Sequence, residues 1–171
     1  MQQELILIGT TWPFRGGGIA SFNERLARAF QDQGFKVTIY TFSLQYPSFI
    51  FPGKSQYSNT PAPKDLTINI SINSINPLNW FKMGRIIRDK KASIVLVRYW
   101  LPFIGPCLGT ILRIVKKNKV STIICIADNI IPHEKRMGDK QLTQYFVKPI
   151  DAKSRFLRFG IVGGDGRVPF V

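Results

Sequence analysis

The stretch LILIGTTWPFRGGGIASFNERLARAF at residues 5–30 constrains this chain more than any other part. An apolar run is followed by a loop with three consecutive glycines, Gly16, Gly17 and Gly18, and then by an amphipathic helical pattern. A glycine turn between a strand and a helix can bind an anion, because the first N–H groups of a helix have no partners within it. Glycine also lets a phosphate approach the backbone closely, since it has no Cβ. The pattern predicts a nucleotide or another phosphate-bearing ligand, and a tight turn without a ligand is the alternative.

Length and composition indicate one domain of ordinary size. The chain has 171 residues, and 44% of them are hydrophobic, which is enough for a proper core. Cys107 and Cys125 lie in apolar surroundings and are expected to be reduced core residues, as in a cytoplasmic protein. The N-terminus lacks the basic segment and long apolar run of a signal peptide, and no apolar run reaches the ~20 residues of a membrane span.

Hydrophobic patterning predicts strands that alternate with helices. Apolar or alternating runs indicate strands at 5–8, 35–42, 66–72, 93–99 and 120–127. Helices are expected from about residue 18 to Gly34, from Pro77 to about residue 90, and then to about residue 118. Ser21 and Glu24 fit a capping box, although the first helix can also begin a turn earlier, at Gly18. The expected fold is α/β, a Rossmann-like parallel sheet with helices on both faces and ligands at the carboxyl ends of its strands.

The formal net charge of +14 is the second unusual feature. Cations cluster at 82–91, at 113–119 and in the tail at 148–167, the first two on predicted helices that also carry apolar residues. Such a helix can lie on an anionic membrane surface, and an ordinary core helix with a solvated basic face is the alternative. Nucleic acid is not an expected partner, because aromatic and basic residues do not alternate on one strand face as stacking platforms require.

A polar segment after the last predicted strand holds further candidate residues. Asp128, Asn129, His133 and Glu134 fall within ADNIIPHEKR, which contains the only histidine of the chain. These side chains can orient hydroxyl groups by accepting hydrogen bonds, and an imidazole or carboxylate can assist proton transfer. The alternative is a loop with a strand-ending Asp-Asn pair, a proline turn and a helix-starting glutamate.

Several other chemistries fit the sequence poorly. One histidine and two separated cysteines do not form a usual zinc site, so no metal is expected. The glycine loop lacks the G-x-G-x-x-G spacing, which disfavours an NAD enzyme, and neither a Walker A pattern nor a G-x-S-x-G elbow is present.

Two motifs together resemble the start of the family 4 glycosyltransferases. The first is the apolar strand, the W-P loop, the G-G-I step and the amphipathic helix. The second is N-x-x-P-H-E at Asn129–Glu134, which is similar to a motif that many of these enzymes carry at the corresponding strand end. The resemblance covers roughly residues 4–151.

The resemblance implies the N-terminal, acceptor-side half of a GT-B fold. Such enzymes transfer a sugar from a nucleotide diphosphate sugar to a glycan or lipid-linked acceptor, with retention and without an essential metal or other cofactor. By this resemblance the three glycines form the loop on the donor phosphate side, and Asp128, Asn129, His133 and Glu134 line the acceptor or sugar cleft. No residue is assigned a catalytic role. Members that act on lipid-linked acceptors lie at the inner face of the cell membrane, which would give the basic helices a purpose.

The sequence also departs from the family pattern. Gly16 makes a triple glycine where two are usual, and Asp128 stands where many relatives have histidine. The donor-binding domain with its E-x7-E motif is missing, so residues 1–151 are expected to form one domain and 152–171 an atypical tail or truncation product. The chain alone is therefore expected to transfer little or no sugar. A stand-alone Rossmann-like nucleotide-binding protein and a basic peripheral membrane module are the alternatives.

Overall fold

The computed structural model describes residues 2–15, 17–47, 56–128 and 138–151. These ranges contain a parallel sheet, its covering helices and one short 3-10 helix at Pro102–Ile104. In chain order the elements are β1 (Glu4–Ile8), α1 (Gly18–Asp32), β2 (Lys36–Leu44), β3 (Thr67–Asn73), α2 (Pro77–Lys90), β4 (Ile94–Tyr99), α3 (Gly105–Lys116), β5 (Thr122–Ala127) and α4 (Asp139–Val147).

The strands form one sheet in the order β3-β2-β1-β4-β5, and every neighbouring pair is parallel. Leu5 at the centre pairs with Val37 on one side and with Ile94 on the other. The chain builds outward from β1 to β3 and then returns to the other side of β1 for β4. The carboxyl ends of β1 and β4 therefore flank the point where the strand order reverses, which is where ligands bind in such sheets.

Alternation along the strands separates two apolar layers. Leu5 and Leu7 face α1 together with Ala27, whereas Ile6 and Ile8 belong to the layer that contains residues of α2, α3 and α4. Successive side chains of a strand point to opposite faces, so continuous apolar runs need cover on both sides. The predicted α/β fold, a Rossmann-like parallel sheet with helices on both faces, is confirmed.

The helix ends agree with most of the expected signals. Gly34 follows α1 with a positive φ of 86°, and the Asn76 side chain accepts hydrogen bonds from the N–H groups of Leu78 and Asn79 at the start of α2. The capping box is wrong, because α1 begins at Gly18 with Gly17 as its N-cap residue. Ser21 and Glu24 therefore already lie inside the helix.

Three further expectations from the sequence concern the cysteines, the tail and membrane-spanning helices. Cys107 and Cys125 are buried free thiols, as expected for reduced core residues. The proposed tail at 152–171 lies outside the described residues. Within the described part of the chain, no helix has both the length and the apolar character that a membrane crossing requires.

Candidate functional site

The loop after β1 is held at the carboxyl edge of the sheet by the long connection between β2 and β3. Phe14 forms an isolated antiparallel bridge with Tyr57, and their rings stack with centroids 5.5 Å apart. Two backbone hydrogen bonds flank this bridge, from Arg15 N–H to the Gln56 carbonyl (2.9 Å) and from Ser58 N–H to the Pro13 carbonyl (2.7 Å). A long connection of this kind is typically functional, and here its second half fixes the loop that leads to the glycines.

Gly17 and Gly18 begin α1 on the surface at this edge. No side chain caps the helix, and its first turn contains no acidic residue. A Cβ built on Gly18 meets no atom within 4 Å, and one on Gly17 meets only a backbone oxygen at 3.9 Å. Gly17 has a φ of −110°, which any residue can adopt. The described fold therefore gives no steric or conformational reason for glycine at either position.

A buried polar chain connects the neighbouring strand ends beneath this loop. The Asn23 amide of α1 donates to the Thr10 carbonyl (2.8 Å), and its oxygen accepts from the Arg98 guanidinium (3.5 Å). Arg98, at the end of β4, pairs with both carboxylate oxygens of Asp128, which directly follows β5. The Phe22 ring lies 4.3 Å from the guanidinium carbon of Arg98. These contacts fix β1, α1, β4 and the end of β5 relative to one another.

Asp128 consequently has a more restricted chemistry than the sequence suggests. Its side chain is 26% exposed, whereas the Arg98 side chain is only 7% exposed. The two hydrogen bonds from the Arg98 guanidinium fix the orientation of this carboxylate and occupy one acceptor position on each of its oxygens. Each carboxylate oxygen still has a lone pair that can accept a hydrogen bond from a ligand hydroxyl.

Aromatic side chains line the same edge of the sheet. The Trp100 indole N–H donates to the Tyr46 hydroxyl (2.6 Å), and the Trp12 indole N–H donates to the Thr60 carbonyl (2.9 Å). Phe103 packs beside Tyr46 at a centroid distance of 6.5 Å. These rings combine apolar faces with fixed polar atoms, a combination that suits ligands with both C–H and hydroxyl groups.

A second hydroxyl near this edge belongs to Tyr99, the last residue of β4. Its ring stacks on Phe146 at 4.1 Å, and its hydroxyl is 2.9 Å from the Thr143 hydroxyl oxygen. Burial raises the pKa of Tyr99 above its usual value of about 10. The hydroxyl therefore stays protonated at neutral pH and acts as a structural link between β4 and α4.

The structure describes only some of the predicted site residues. It places Gly17, Gly18 and Asp128 at the carboxyl edge, whereas Gly16, Asn129, His133 and Glu134 lie outside the described residues. Their assignments to the phosphate-side loop and the sugar cleft remain predictions. Within the ranges described, no group of three His, Cys, Asp or Glu side chains could hold a metal ion.

Arg98 and Asn23 were not predicted as site residues, although the sequence around each of them indicates a buried polar side chain. Arg98 is a single charge in the apolar strand SIVLVRY, and a buried cation requires a partner. Asn23 lies four residues after Ile19, on the face of α1 that the apolar periodicity predicts to be buried. The aromatic side chains at the carboxyl edge of the sheet were harder to predict from the sequence. Among them, only Trp100 directly follows a strand.

Known proteins add little to this description. No family model and no curated protein matches the chain. Among solved structures, it is similar to an alpha-glucosyltransferase in complex with UDP and a 13-mer DNA containing an HMU base, with 13% sequence identity and a TM-score of 0.49. The match covers 86% of this chain and 36% of that chain, so this chain spans little more than a third of the enzyme's length. The fold assignment rests on the strand order and pairing of the sheet itself.

Proposed function

We propose that this chain is the acceptor-side part of a retaining glycosyltransferase of the GT-B type, resembling family 4. Its substrates would be a nucleotide diphosphate sugar and a glycan or lipid-linked acceptor, and no metal or cofactor would be required. The proposal rests mainly on the two exposed glycines at the start of α1. In the described fold, neither a close contact nor a positive φ requires glycine at these positions. Close approach of a phosphate explains them, because a Cβ would occupy the space that the ligand needs.

The remaining contacts at this edge support the same proposal. Gly17 and Gly18 would approach the donor phosphates, and Asp128, rigidly oriented by Arg98, would accept a hydrogen bond from a sugar hydroxyl. The aromatic rings around Trp100 would pack against the C–H faces of a sugar. Transfer in a GT-B enzyme requires a donor-binding half in addition to an acceptor-side part, so residues 1–171 by themselves are expected to transfer little or no sugar.

The test measures nucleotide binding and sugar transfer with the purified chain. UDP and GDP are titrated against ¹⁵N-labelled protein, and weak binding is expected to shift the backbone amide signals of residues 17–20. Gly18→Ala should remove these shifts without loss of stability, since its Cβ meets no atom of the described residues within 4 Å. Ala29→Ser, an exposed change further along α1, serves as the control and should leave the shifts unchanged.

Two results would contradict this proposal. Unaltered shifts in Gly18→Ala would overturn the assignment of the phosphate-side loop. Sugar transfer from any nucleotide sugar by the purified 171-residue chain would overturn the prediction that it is inactive alone. Tight binding of UDP or GDP without transfer would favour the alternative, a stand-alone Rossmann-like nucleotide-binding protein. Nucleic acid remains outside the expected partners, a prediction that a gel-shift assay at low salt can check.

We also propose that α2 attaches the chain to an anionic membrane. Leu78 is 79% exposed and Phe81 is 50% exposed, and they share the outer face of the helix with Lys82 and Arg85. Burying each apolar side chain contributes roughly 1.5–3 kcal/mol. Each cation near an anionic surface adds about 1 kcal/mol. A helix with this combination lies in the membrane interface rather than across it.

Vesicle flotation tests the membrane attachment. The chain should float with vesicles of phosphatidylcholine and phosphatidylglycerol, and less with phosphatidylcholine alone. Leu78→Ser combined with Phe81→Ser should abolish flotation because both apolar anchors are lost. Val120→Ser, which removes a 55% exposed apolar side chain away from α2, is the control. Equal flotation of the double variant and the wild type would contradict this attachment.

A further inference from the structure

A shallow basic cavity that is open to solvent lies far from the glycine loop, between the ends of α3 and α4. Its volume is about 300 Å³, and its lining residues are Arg113, Lys116, Lys117, Lys148 and Pro149. Helix α3 begins after β4 and ends before β5, so its last residues lie toward the amino ends of the parallel strands. The cavity is therefore at the opposite edge of the sheet from Gly17 and Gly18.

The chain's own carbonyl groups hold two of the cavity's cations in place. Arg113 donates to the carbonyls of Gly109 (2.8 Å) and Tyr145, and its guanidinium carbon lies 3.6 Å from the centre of the Tyr145 ring. Lys116 donates to the Pro149 carbonyl at 3.2 Å. Holding these flexible side chains in advance reduces the conformational entropy that a ligand would otherwise have to offset.

The charge around this cavity is poorly balanced within the described residues. Lys116 pairs with Asp151 (3.3 Å), whose other oxygen accepts from the Ile123 N–H at the start of β5 (3.2 Å). Neither Lys117 nor Lys148 forms an ion pair with a carboxylate in the part of the chain that is described. Among the residues that the structure describes, one carboxylate, that of Asp151, therefore pairs with a group of four cations.

The lining also restricts the chemistry of a ligand. Arginine and lysine side chains are hydrogen-bond donors with no acceptor atom, and the lining contains no acidic residue. A complementary ligand must be rich in acceptors and carry more than one negative charge, which describes phosphate groups better than a single carboxylate. The volume is large enough for two linked phosphates or for one phosphate with its attached group.

From this geometry we propose that the cavity between α3 and α4 is a binding site for a phosphate-bearing anion. The ligand is either a soluble compound with linked phosphates or the headgroup of an anionic lipid, since the two present the same oxygen atoms. This site is separate from the glycine loop and does not depend on the proposed transferase role.

Calorimetric titration with inorganic pyrophosphate tests the site. Lys117→Gln combined with Lys148→Gln should weaken binding by about tenfold or more, because two cations that face the ligand are lost. Arg25→Gln combined with Lys64→Gln is the matched control, since it removes the same charge from exposed positions on the α1 side. The control should stay within about twofold of the wild type, and circular dichroism checks that all three proteins are folded.

A second arm distinguishes the two ligand sources. Vesicles that contain phosphatidylglycerol are floated with and without pyrophosphate. The site binds a lipid headgroup if pyrophosphate releases the wild-type chain from the vesicles and if the Lys117→Gln/Lys148→Gln variant floats less than the wild type. Pyrophosphate binding without any effect on flotation assigns it to a soluble phosphate compound. Absence of pyrophosphate binding in the wild type, or equal weakening in both double variants, would overturn the proposed site.

Discussion

Asp128 shows how a single neighbouring residue changes the meaning of a sequence motif. In the sequence it is one of four polar residues in a loop after a strand, where it can be a base, a hydroxyl acceptor or a turn residue. In the structure both of its oxygens accept from Arg98, which is nearly buried. Its first role is therefore to neutralise a buried cation and to fix the end of β5. A ligand would contact the Asp128 carboxylate in the orientation that Arg98 imposes.

The stability of an Asp128→Ala variant tests this role. The substitution leaves Arg98 with a buried and unpaired charge, so we expect the free energy of unfolding to fall by about 3 kcal/mol, the lower end of the range for broken buried pairs. Urea denaturation measures the change. Asp89→Ala is the control, because its pair with Arg88 lies on the surface, and its midpoint should change little. Equal midpoints for the two variants would show that the Arg98 pair is not needed for stability.

The two cysteines permit a test of core packing at the same scale. Burial raises the pKa of Cys125 to about 12 and also raises the pKa of Cys107 well above its usual value. Since the thiolate is the reactive form, neither thiol should react with Ellman's reagent at pH 8 in the native protein. Both should react at once in guanidinium chloride. Fast reaction under native conditions would place a thiol in a more open environment than this core.

Among the secondary-structure elements, the strands were the most predictable from the sequence. Apolar or alternating runs indicated all five within two residues of their observed ends, because the side chains on each covered face of a strand must be apolar. Helix α2 was predicted closely, since Pro77 is favoured in a first turn.

Other elements could not be predicted because their causes are non-local. Helix α4 was missed, since its nine residues have a short apolar pattern and it is held by packing on α3. The bridge between Phe14 and Tyr57 joins segments more than forty residues apart, which no local pattern indicates. Arg98 and Asn23 are polar residues in apolar patterns, but the contacts of Arg98 with Asn23 and with Asp128 could only be found in three dimensions.

Close packing between α2 and α3 gives a prediction at this scale. A Cβ on Gly84 would lie 2.8 Å from the Ile114 Cδ1 atom and 2.9 Å from its Cβ, so the two helices would have to separate or distort. Gly84→Ala should lower the free energy of unfolding by about 1–2 kcal/mol, since overpacking costs about 1–3 kcal/mol and alanine favours the helix by less than 1. Thermal denaturation measures this effect.

Gly18→Ala is the matched control for that substitution. It adds the same methyl group at a helical position where no atom of the described part of the chain lies within 4 Å. Its melting temperature should equal or slightly exceed that of the wild type, because alanine restricts the unfolded chain more than glycine does. A Gly84→Ala variant as stable as Gly18→Ala would mean that the α2–α3 contact relaxes without cost.

At the scale of the whole molecule, the two faces of the sheet differ in charge. Helix α1 carries two cations and two carboxylates, whereas α2, α3 and α4 together carry seven cations and two carboxylates. The latter layer contains both the exposed apolar face of α2 and the basic cavity. The excess positive charge of the chain thus favours anionic partners mainly on one side.

This asymmetry predicts that salt stabilises the protein. Neighbouring helices in a layer lie about 8–10 Å apart, so their cations repel strongly at about 0.01 M salt, where the Debye length is about 30 Å, and weakly at 0.15 M, where it is about 8 Å. We expect the melting temperature in phosphate-free buffer to rise between these sodium chloride concentrations. Lys117→Gln with Lys148→Gln should reduce that rise, and Arg25→Gln with Lys64→Gln should reduce it less, because α1 is balanced. The prediction is contradicted if the melting temperature falls with salt, or if salt changes the melting temperatures of the two double variants equally. Either result would show that repulsion within the α2–α3–α4 layer does not limit stability.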